Sequence, residues 1–97
     1  MEPLEEIKNI LTAHKEELRE KYKVKEIGIF GSFIRGEQRK KSDVDVLVDF
    51  EESIGLFEFM DLEEHLEKLL GRKVDLVSKG ALKPRIGEYI LKEVVYV

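Results

Sequence analysis

The sequence predicts a single α/β domain in which a small β-sheet is flanked by helices. Segments with apolar residues at three- and four-residue spacing, typical of amphipathic helices, alternate with short β-branched runs, typical of strands. With 97 residues, the chain can form one hydrophobic core but is too short for a second. The predicted order is helix, strand, short helix, strand, helix, strand, helix, and we treat residues 1–97 as one domain.

Composition and charge exclude several classes of protein. The net charge is −4, so the chain lacks the overall positive field typical of proteins that bind nucleic acids directly. The absence of cysteine rules out disulfides and thiolate zinc sites. No apolar run approaches the roughly 20 residues of a membrane span, and the acidic N-terminus lacks the apolar core of a signal peptide. We therefore expect a cytoplasmic protein that needs no membrane and binds no nucleic acid directly.

The first part of the chain predicts one long helix and then a strand. Pro3 stands where a first helical turn tolerates proline. His14 falls near the apolar stripe of this helix, and we assign it a packing or surface role. Val24–Phe30 predicts a strand that ends at Gly31. The apolar stripe consists of Leu4, Ile7, Leu11, Leu18 and Tyr22.

The middle of the chain predicts a short helix and a second strand. Residues 33–39 predict the helix, with Ser32 as its cap and Gly36 able to end it. Residues 43–50 alternate at the period of a strand. We expect one face to cover the core, and it carries Val44, Val46, Val48 and Phe50. We expect the other face to line a cleft or solvent, and it carries Asp43, Asp45, Leu47 and Asp49.

The last part of the chain predicts a helix, a strand and a final helix. Residues 56–70 form the first of these, with Gly71 as its stop, and we interpret its apolar stripe as core. His65 lies within that helix, where a surface position is expected. Residues 73–78 predict the third strand, and the final helix begins near Pro84. The stripe interpreted as core comprises Leu56, Phe59, Met60, Leu62, Leu66, Leu69 and Leu70.

The aspartates are the first indication of chemistry. The chain has only five, and four of them lie in apolar, β-branched runs, where aspartate is disfavoured. Asp43 and Asp45 project from one face of a strand, ~6.5–7 Å apart at the backbone. Two carboxylates this close repel unless a positive charge neutralises them, and an all-oxygen ligand set favours Mg²⁺ or Mn²⁺. A third carboxylate usually completes such a site, and Asp75 in the next strand is the candidate.

A glycine–serine turn lies between the first strand and these aspartates. A strand that ends in glycine lets backbone N–H groups approach an anion closely, and the Ser32 hydroxyl can donate to a phosphate oxygen. Arg35 lies one helical turn further on, followed by the basic segment 39–41. Gly31 and Gly36 have the glycine spacing of a Walker A loop, but the required Lys-Ser/Thr is absent, which excludes a P-loop. The stretch therefore favours a nucleoside triphosphate bound through a metal.

The complete stretch resembles a known family. Its pattern, G-S-x-x-R-G-x-x-x-x-x-S-D-x-D-x-x-V from Gly31 to Val48, is similar to that of the minimal nucleotidyltransferases, the MNT group of the DNA polymerase β-like superfamily. The resemblance implies the nucleotidyltransferase fold of that superfamily, a small mixed sheet flanked by helices. It also implies an enzyme that uses ATP together with Mg²⁺. Two metal ions are expected, and Mn²⁺ is an alternative to Mg²⁺.

The resemblance assigns roles to individual residues and implies a partner. Gly31 and Ser32 match the family's nucleotide-phosphate turn, and Arg35 and Ser42 match recurrent positions of the same signature. Its metal-binding carboxylates are matched by Asp43, Asp45 and Asp75. Members of this family are commonly antitoxins of HEPN-domain ribonuclease toxins, which they silence by transferring AMP from ATP to a tyrosine. This chain has no room for a substrate domain, so the acceptor is expected on another protein.

Two alternatives remain open from the sequence. The chain can instead be a non-catalytic module that inhibits its partner by masking it, with the apolar C-terminal residues 94–97 and sheet edges as the interface. It can also be a nucleotidyltransferase whose acceptor is a small molecule or an RNA end.

Overall fold

The computed structural model describes residues 3–97, which form five α-helices and four strands. The helices are α1 (Pro3–Ala13), α2 (Lys15–Tyr22), α3 (Ser32–Arg35), α4 (Leu56–Leu70) and α5 (Pro84–Glu93). The strands are β1 (Val24–Phe30), β2 (Val44–Phe50), β3 (Val74–Ser78) and β4 (Val95–Tyr96). A 3₁₀ turn at Lys79–Ala81 follows β3. None of the helices within residues 3–97 is long and apolar enough to cross a membrane.

The strands form one mixed sheet in the order β3-β2-β1-β4. β1 is antiparallel to both β2 and β4, whereas β2 and β3 are parallel and are joined through α4. A parallel pair needs such a crossover because the chain must return to the same end of the sheet. The α/β class and the mixed sheet are thus confirmed. The short strand β4 was not predicted.

The hydrophobic core lies between one face of the sheet and the helices α1, α2 and α4. Val44, Val46 and Val48 are fully buried there, as the alternation of β2 predicts. The facing helices contribute the buried leucines Leu11, Leu18, Leu62 and Leu66. Burying a side chain of this size contributes about 1.5–3 kcal/mol, so this layer fixes the orientation of β2.

The opposite face of β2 is only partly open, and the prediction for Leu47 was wrong. Leu47 is buried although it shares a face with Asp45. Its register partner in β1 is Gly28. Val94 and Val95, near the end of the chain, pack closely over Gly28. A side chain at Gly28 would collide with this segment, since its Cβ would lie 2.7 Å from Val94 Cγ2. The C-terminal segment therefore covers the middle of this face.

The predicted first helix is interrupted at His14. The backbone there leaves the helical range, at φ −108° and ψ 8°, so that α1 and α2 are separate helices. The imidazole Nδ1 lies 2.8 Å from the Ile10 carbonyl oxygen, which the His14 amide also approaches at 3.2 Å. A side chain that competes for a helix carbonyl in this way is a known cause of a local break. Ile7, Leu11 and Leu18 nevertheless remain on one buried side, as predicted.

Two further predictions about helices need correction. The short helix α3 spans Ser32–Arg35 only, and Ser32 is its first residue rather than its cap, because the preceding Gly31 occupies the capping position. Gly36 ends it in a left-handed conformation, as expected. In α4, Leu56 and Met60 were assigned to the core but are 71% and 55% exposed. Leu56 and Met60, one helical turn apart, are exposed, whereas Phe59 between them packs against the core.

Candidate active site

The sheet register brings the predicted site residues to one end of the sheet. Asp45 in β2 lies beside Phe30 at the end of β1 and beside Asp75 in β3. Hydrogen-bonded neighbours in a sheet are about 5 Å apart, so Gly31, which follows Phe30, also borders Asp45. Asp43, just before β2 begins, is close enough for its charge to raise the pKa of Asp45. Four residues predicted from separate parts of the sequence therefore meet at this end.

The carboxylates at this end share one electrostatic field. Burial is the main cause that raises the pKa of Asp45, from 3.8 to about 6, followed by the charges of Asp75 and Asp43. Arg35 acts in the opposite direction and lowers this pKa. A negative field of this kind, made of oxygen ligands, suits a divalent cation such as Mg²⁺, which would relieve the repulsion. Within residues 3–97 there is no preassembled cluster of three metal-ligating side chains, so the fit rests on donor chemistry and charge.

Gly31 is the point where the backbone comes closest to Asp45. Its φ of +80° lies in the region that favours glycine. A Cβ at this position would run into the Asp45 carboxylate, with Asp45 Cγ only 2.8 Å away. The glycine is required both by the turn and by this approach. The carboxylate and the backbone of the turn are therefore held in direct contact.

Glu93, at the end of α5, is the site residue that the sequence reasoning missed. Its carboxylate accepts hydrogen bonds from the Gly31 N–H at 3.1 Å and from Arg35 Nη1 at 2.6 Å. Arg35 also donates from Nε to Glu37, at 2.6 Å. The backbone N–H and the guanidinium therefore converge on one anionic group. Nothing in the local sequence indicates this role, because Glu93 reads as the polar end of an amphipathic helix.

The two serines lie in different settings. Ser32, half-buried, opens α3 directly after Gly31. The Ser42 hydroxyl instead accepts a hydrogen bond from the Arg39 N–H at 2.7 Å, and the Ser42 N–H donates to the Arg39 carbonyl at 3.0 Å. Ser42 thus closes the turn that delivers Asp43 to the site.

Comparison with known families and proteins gives a consistent result. Residues 11–97 match the family described as a nucleotidyltransferase domain. The chain is 62% identical over 94 residues to the protein adenylyltransferase MntA of Thermococcus cleftensis, which covers 97% of this chain and 95% of that protein. It is 53% identical over 98 residues, across the full length of both chains, to a Methanocaldococcus jannaschii protein assigned by name to the same activity.

Solved structures share the fold. A minimal nucleotidyltransferase superposes with a TM-score of 0.73 and 40% identity, covering 90% of this chain and 92% of that one. A toxin–antitoxin complex with AMP-PNP superposes with a TM-score of 0.76 at 23% identity, covering 92% of this chain and 70% of that one. A complex of a tri-AMPylated Shewanella oneidensis HEPN toxin with an MNT antitoxin has a TM-score of 0.69 at 19% identity. The match covers 93% of this chain and 70% of that one. At these last two identities the likeness concerns the fold alone.

Proposed function

This chain belongs to the nucleotidyltransferase domain family, and we propose from that premise that it is a protein adenylyltransferase antitoxin. It transfers AMP from ATP to a tyrosine of a HEPN-domain toxin and so neutralises the toxin. The observation that carries the proposal is the convergence of Gly31, Asp45 and Asp75 at one end of the sheet. The likeness to the MntA adenylyltransferase supports the transferred group and the class of acceptor.

The carboxylates have the central role in the proposed reaction. Asp43, Asp45 and Asp75 would hold Mg²⁺, and two ions are expected. The ions would neutralise charge at the phosphates and at the attacking oxygen. Asp75 is the candidate to accept the proton of the tyrosine hydroxyl. The tyrosine oxygen then bonds to the α-phosphorus as the bond to the bridging oxygen breaks, and diphosphate leaves.

The turn after β1 would hold the rest of the triphosphate. The Gly31 N–H and Arg35 already converge on the Glu93 carboxylate, and the same donors suit phosphate oxygens. Ser32 adds a hydroxyl at the start of α3. Ser42 would act indirectly, since its hydroxyl holds the turn before Asp43.

Mass spectrometry of the acceptor tests this function. The chain is incubated with a cognate HEPN-domain toxin, ATP and Mg²⁺, and we expect an AMP adduct on a tyrosine of that toxin. Asp43→Ala combined with Asp45→Ala should abolish the adduct. The matched control is Glu58→Ala combined with Asp61→Ala, which removes two exposed carboxylates from α4. Absence of an adduct with a toxin that remains active, or an undiminished adduct in the aspartate variant, contradicts the proposal.

Inhibition by masking is the second candidate, and exposed apolar residues on α5 favour it. Tyr89 is 81% exposed and Ile86 is 59% exposed, one helical turn apart. Residues 94–97, which the sequence suggested as the interface, are largely taken up by pairing of β4 with β1. Masking would be favoured by two results together. The toxin is still neutralised when Asp43 and Asp45 are both replaced by alanine, and it is no longer neutralised when Ile86→Ser is combined with Tyr89→Ser.

A further inference from the structure

A basic cavity lies beside the candidate active site, at the start of β2 and β3. It has a volume of about 440 Å³ and is lined by Lys40, Lys41, Arg72 and Lys73. Residues of α1 complete it, among them Ile7, Ile10 and Glu6. We refer to this cavity, defined by the four cations and the facing side of α1, as the basic cavity.

The charge of the basic cavity is opposite in sign to that of the whole chain. Among the described residues that line it, four are cations and one, Glu6, is a carboxylate, whereas the net charge of the protein is −4. Some lysines elsewhere have carboxylate partners, such as Glu5 for Lys8 and Glu26 for Lys79. Within residues 3–97, none of the four cavity cations has a carboxylate oxygen within 4.0 Å. In the part of the chain that the structure describes, their mutual repulsion is therefore not offset by a close ion pair.

The cavity is partly rigid. The Arg72 guanidinium lies over the Phe33 ring, 5.3 Å from its centroid, and Nη1 donates to the Lys40 carbonyl at 3.4 Å. The Lys73 carbonyl accepts the Val44 N–H at 2.9 Å, which fixes the backbone of the cavity's rim to β2. A guanidinium held by an aromatic face keeps its remaining donors available in a fixed plane. A ligand that binds there meets donors that are already positioned.

The basic cavity is distinct from the carboxylate site. Ile7 in its wall belongs to the core that covers the Val44–Val48 face of β2. Asp45 alternates with these valines and so points to the other face of the sheet. The two sites adjoin at Ser42, which lines the cavity and directly precedes Asp43.

We propose that the basic cavity is a second anion site, which binds an oligophosphate group. Lysine ammonium groups supply point charges and Arg72 supplies directed N–H donors, which together match phosphate oxygens. The charge on such a group offsets the uncompensated cations, whereas a single carboxylate would leave most of them unpaired. An oligophosphate bound there contacts the turn that carries Asp43 without using the metal-binding carboxylates.

Amide chemical shifts test the proposal with inorganic tripolyphosphate as the probe, in EDTA so that no metal bridges it to the aspartates. We expect shifts at residues 40–42 and 71–73 and a saturable affinity that falls as salt is added. Lys41→Glu with Lys73→Glu should weaken binding by roughly tenfold or more, because two attractive charges become repulsive. The matched control, Lys21→Glu with Lys68→Glu, makes the same change of net charge on exposed helix positions.

A second probe, the trinucleotide ApApA, distinguishes a free oligophosphate from the phosphodiester chain of a nucleotide polymer. Shifts at the same residues with tripolyphosphate, and weaker binding of ApApA, support an oligophosphate site, whereas tighter binding of ApApA would overturn the proposal and indicate a phosphodiester chain. Shifts confined to residues 31–35, or equal loss of affinity in both lysine variants, would overturn it. The result does not depend on the transferase reaction, because Asp43→Ala with Asp45→Ala should leave this binding intact.

Discussion

At the scale of single residues, Gly31 carries the strictest requirement in the site. It combines a φ of +80° with an approach to Asp45 that leaves no room for a Cβ. Gly36 also has a positive φ, +72°, but its ψ of 23° places it in the left-handed helical region, whereas ψ at Gly31 is −150°. Nothing lies within 4 Å of a Cβ added at Gly36. An alanine at Gly36 therefore meets only the strain of a left-handed backbone, whereas an alanine at Gly31 meets both a conformation essentially restricted to glycine and a collision with the site.

We predict that Gly31→Ala abolishes AMP transfer and lowers the free energy of unfolding by about 2–3 kcal/mol, since strain and collision add. Gly36→Ala should cost about 1 kcal/mol, from strain alone, and keep most of the activity. Urea denaturation and the adduct assay measure both effects. Equal losses in the two variants would show that the contact between Gly31 and Asp45 has no special importance.

Asp45 makes stability depend on pH in the absence of metal. Its pKa is raised from 3.8 to about 6, so the folded protein keeps a proton that the unfolded chain has already lost between these values. Stability therefore falls as pH rises through this range. Because Asp45 is only partly buried, solvent screening reduces the expected loss to about 1 kcal/mol.

We predict that Asp45→Asn removes this loss and makes the protein more stable than the wild type at pH 7 in EDTA. The measurement is the free energy of unfolding in urea at several pH values from 4 to 7. Asp61→Asn, on the exposed side of α4, serves as the control and should keep the wild-type profile. A wild-type profile in Asp45→Asn would mean that another group causes the pH dependence.

At the scale of elements, the edge strand β3 depends on α4 for more than apolar packing. β3 pairs only with β2, so the N–H groups on its other side lack a strand partner. Glu67 accepts the Val74 N–H at 3.0 Å and Glu63 accepts the Leu76 N–H at 3.2 Å. The two carboxylates lie one helical turn apart and so match two alternate residues of the strand. They occupy donors that could otherwise pair with another chain.

We predict that Glu63→Ala combined with Glu67→Ala lowers the free energy of unfolding by about 1–3 kcal/mol and promotes self-association through β3. Analytical ultracentrifugation over a concentration series measures the association. Glu58→Ala combined with Asp61→Ala removes the same charge from the same helix and should remain as monomeric as the wild type. If both double variants associate equally, net charge and not the strand edge is responsible.

The sequence predicted elements well where local pattern determines them. The alternation around Asp43 and Asp45, the helix end at Gly36 and the order of strands and helices follow from periodicity and backbone preference. Burial of Leu47 did not follow, because it depends on a segment from the far end of the chain. β4 was missed for a related reason, since two residues carry no period of their own and pair only because β1 offers an edge.

At the scale of the whole molecule, Glu93 joins the end of the chain to the turn after β1. It is separated by 62 residues from Gly31 and by 58 from Arg35, yet its carboxylate binds both. It also raises the pKa of Asp45, though as the smallest of the contributing charges. Since the proposed phosphate-binding donors already hold this anion, a triphosphate must compete with Glu93 for them.

We predict that Glu93→Gln strengthens binding of ATP by roughly three- to tenfold, because a neutral amide competes less well than a carboxylate for the guanidinium. The variant should at the same time be slightly less stable, since Arg35 loses a charged partner. Calorimetric titration with ATP measures the affinity, and Glu88→Gln, an exposed position on the same helix, is the control. Weaker binding in Glu93→Gln would mean that Glu93 positions Arg35 for the nucleotide and does not compete with it. Stronger binding would mean that α5 must release the turn whenever ATP enters, which couples the C-terminal end of the chain to occupancy of the site.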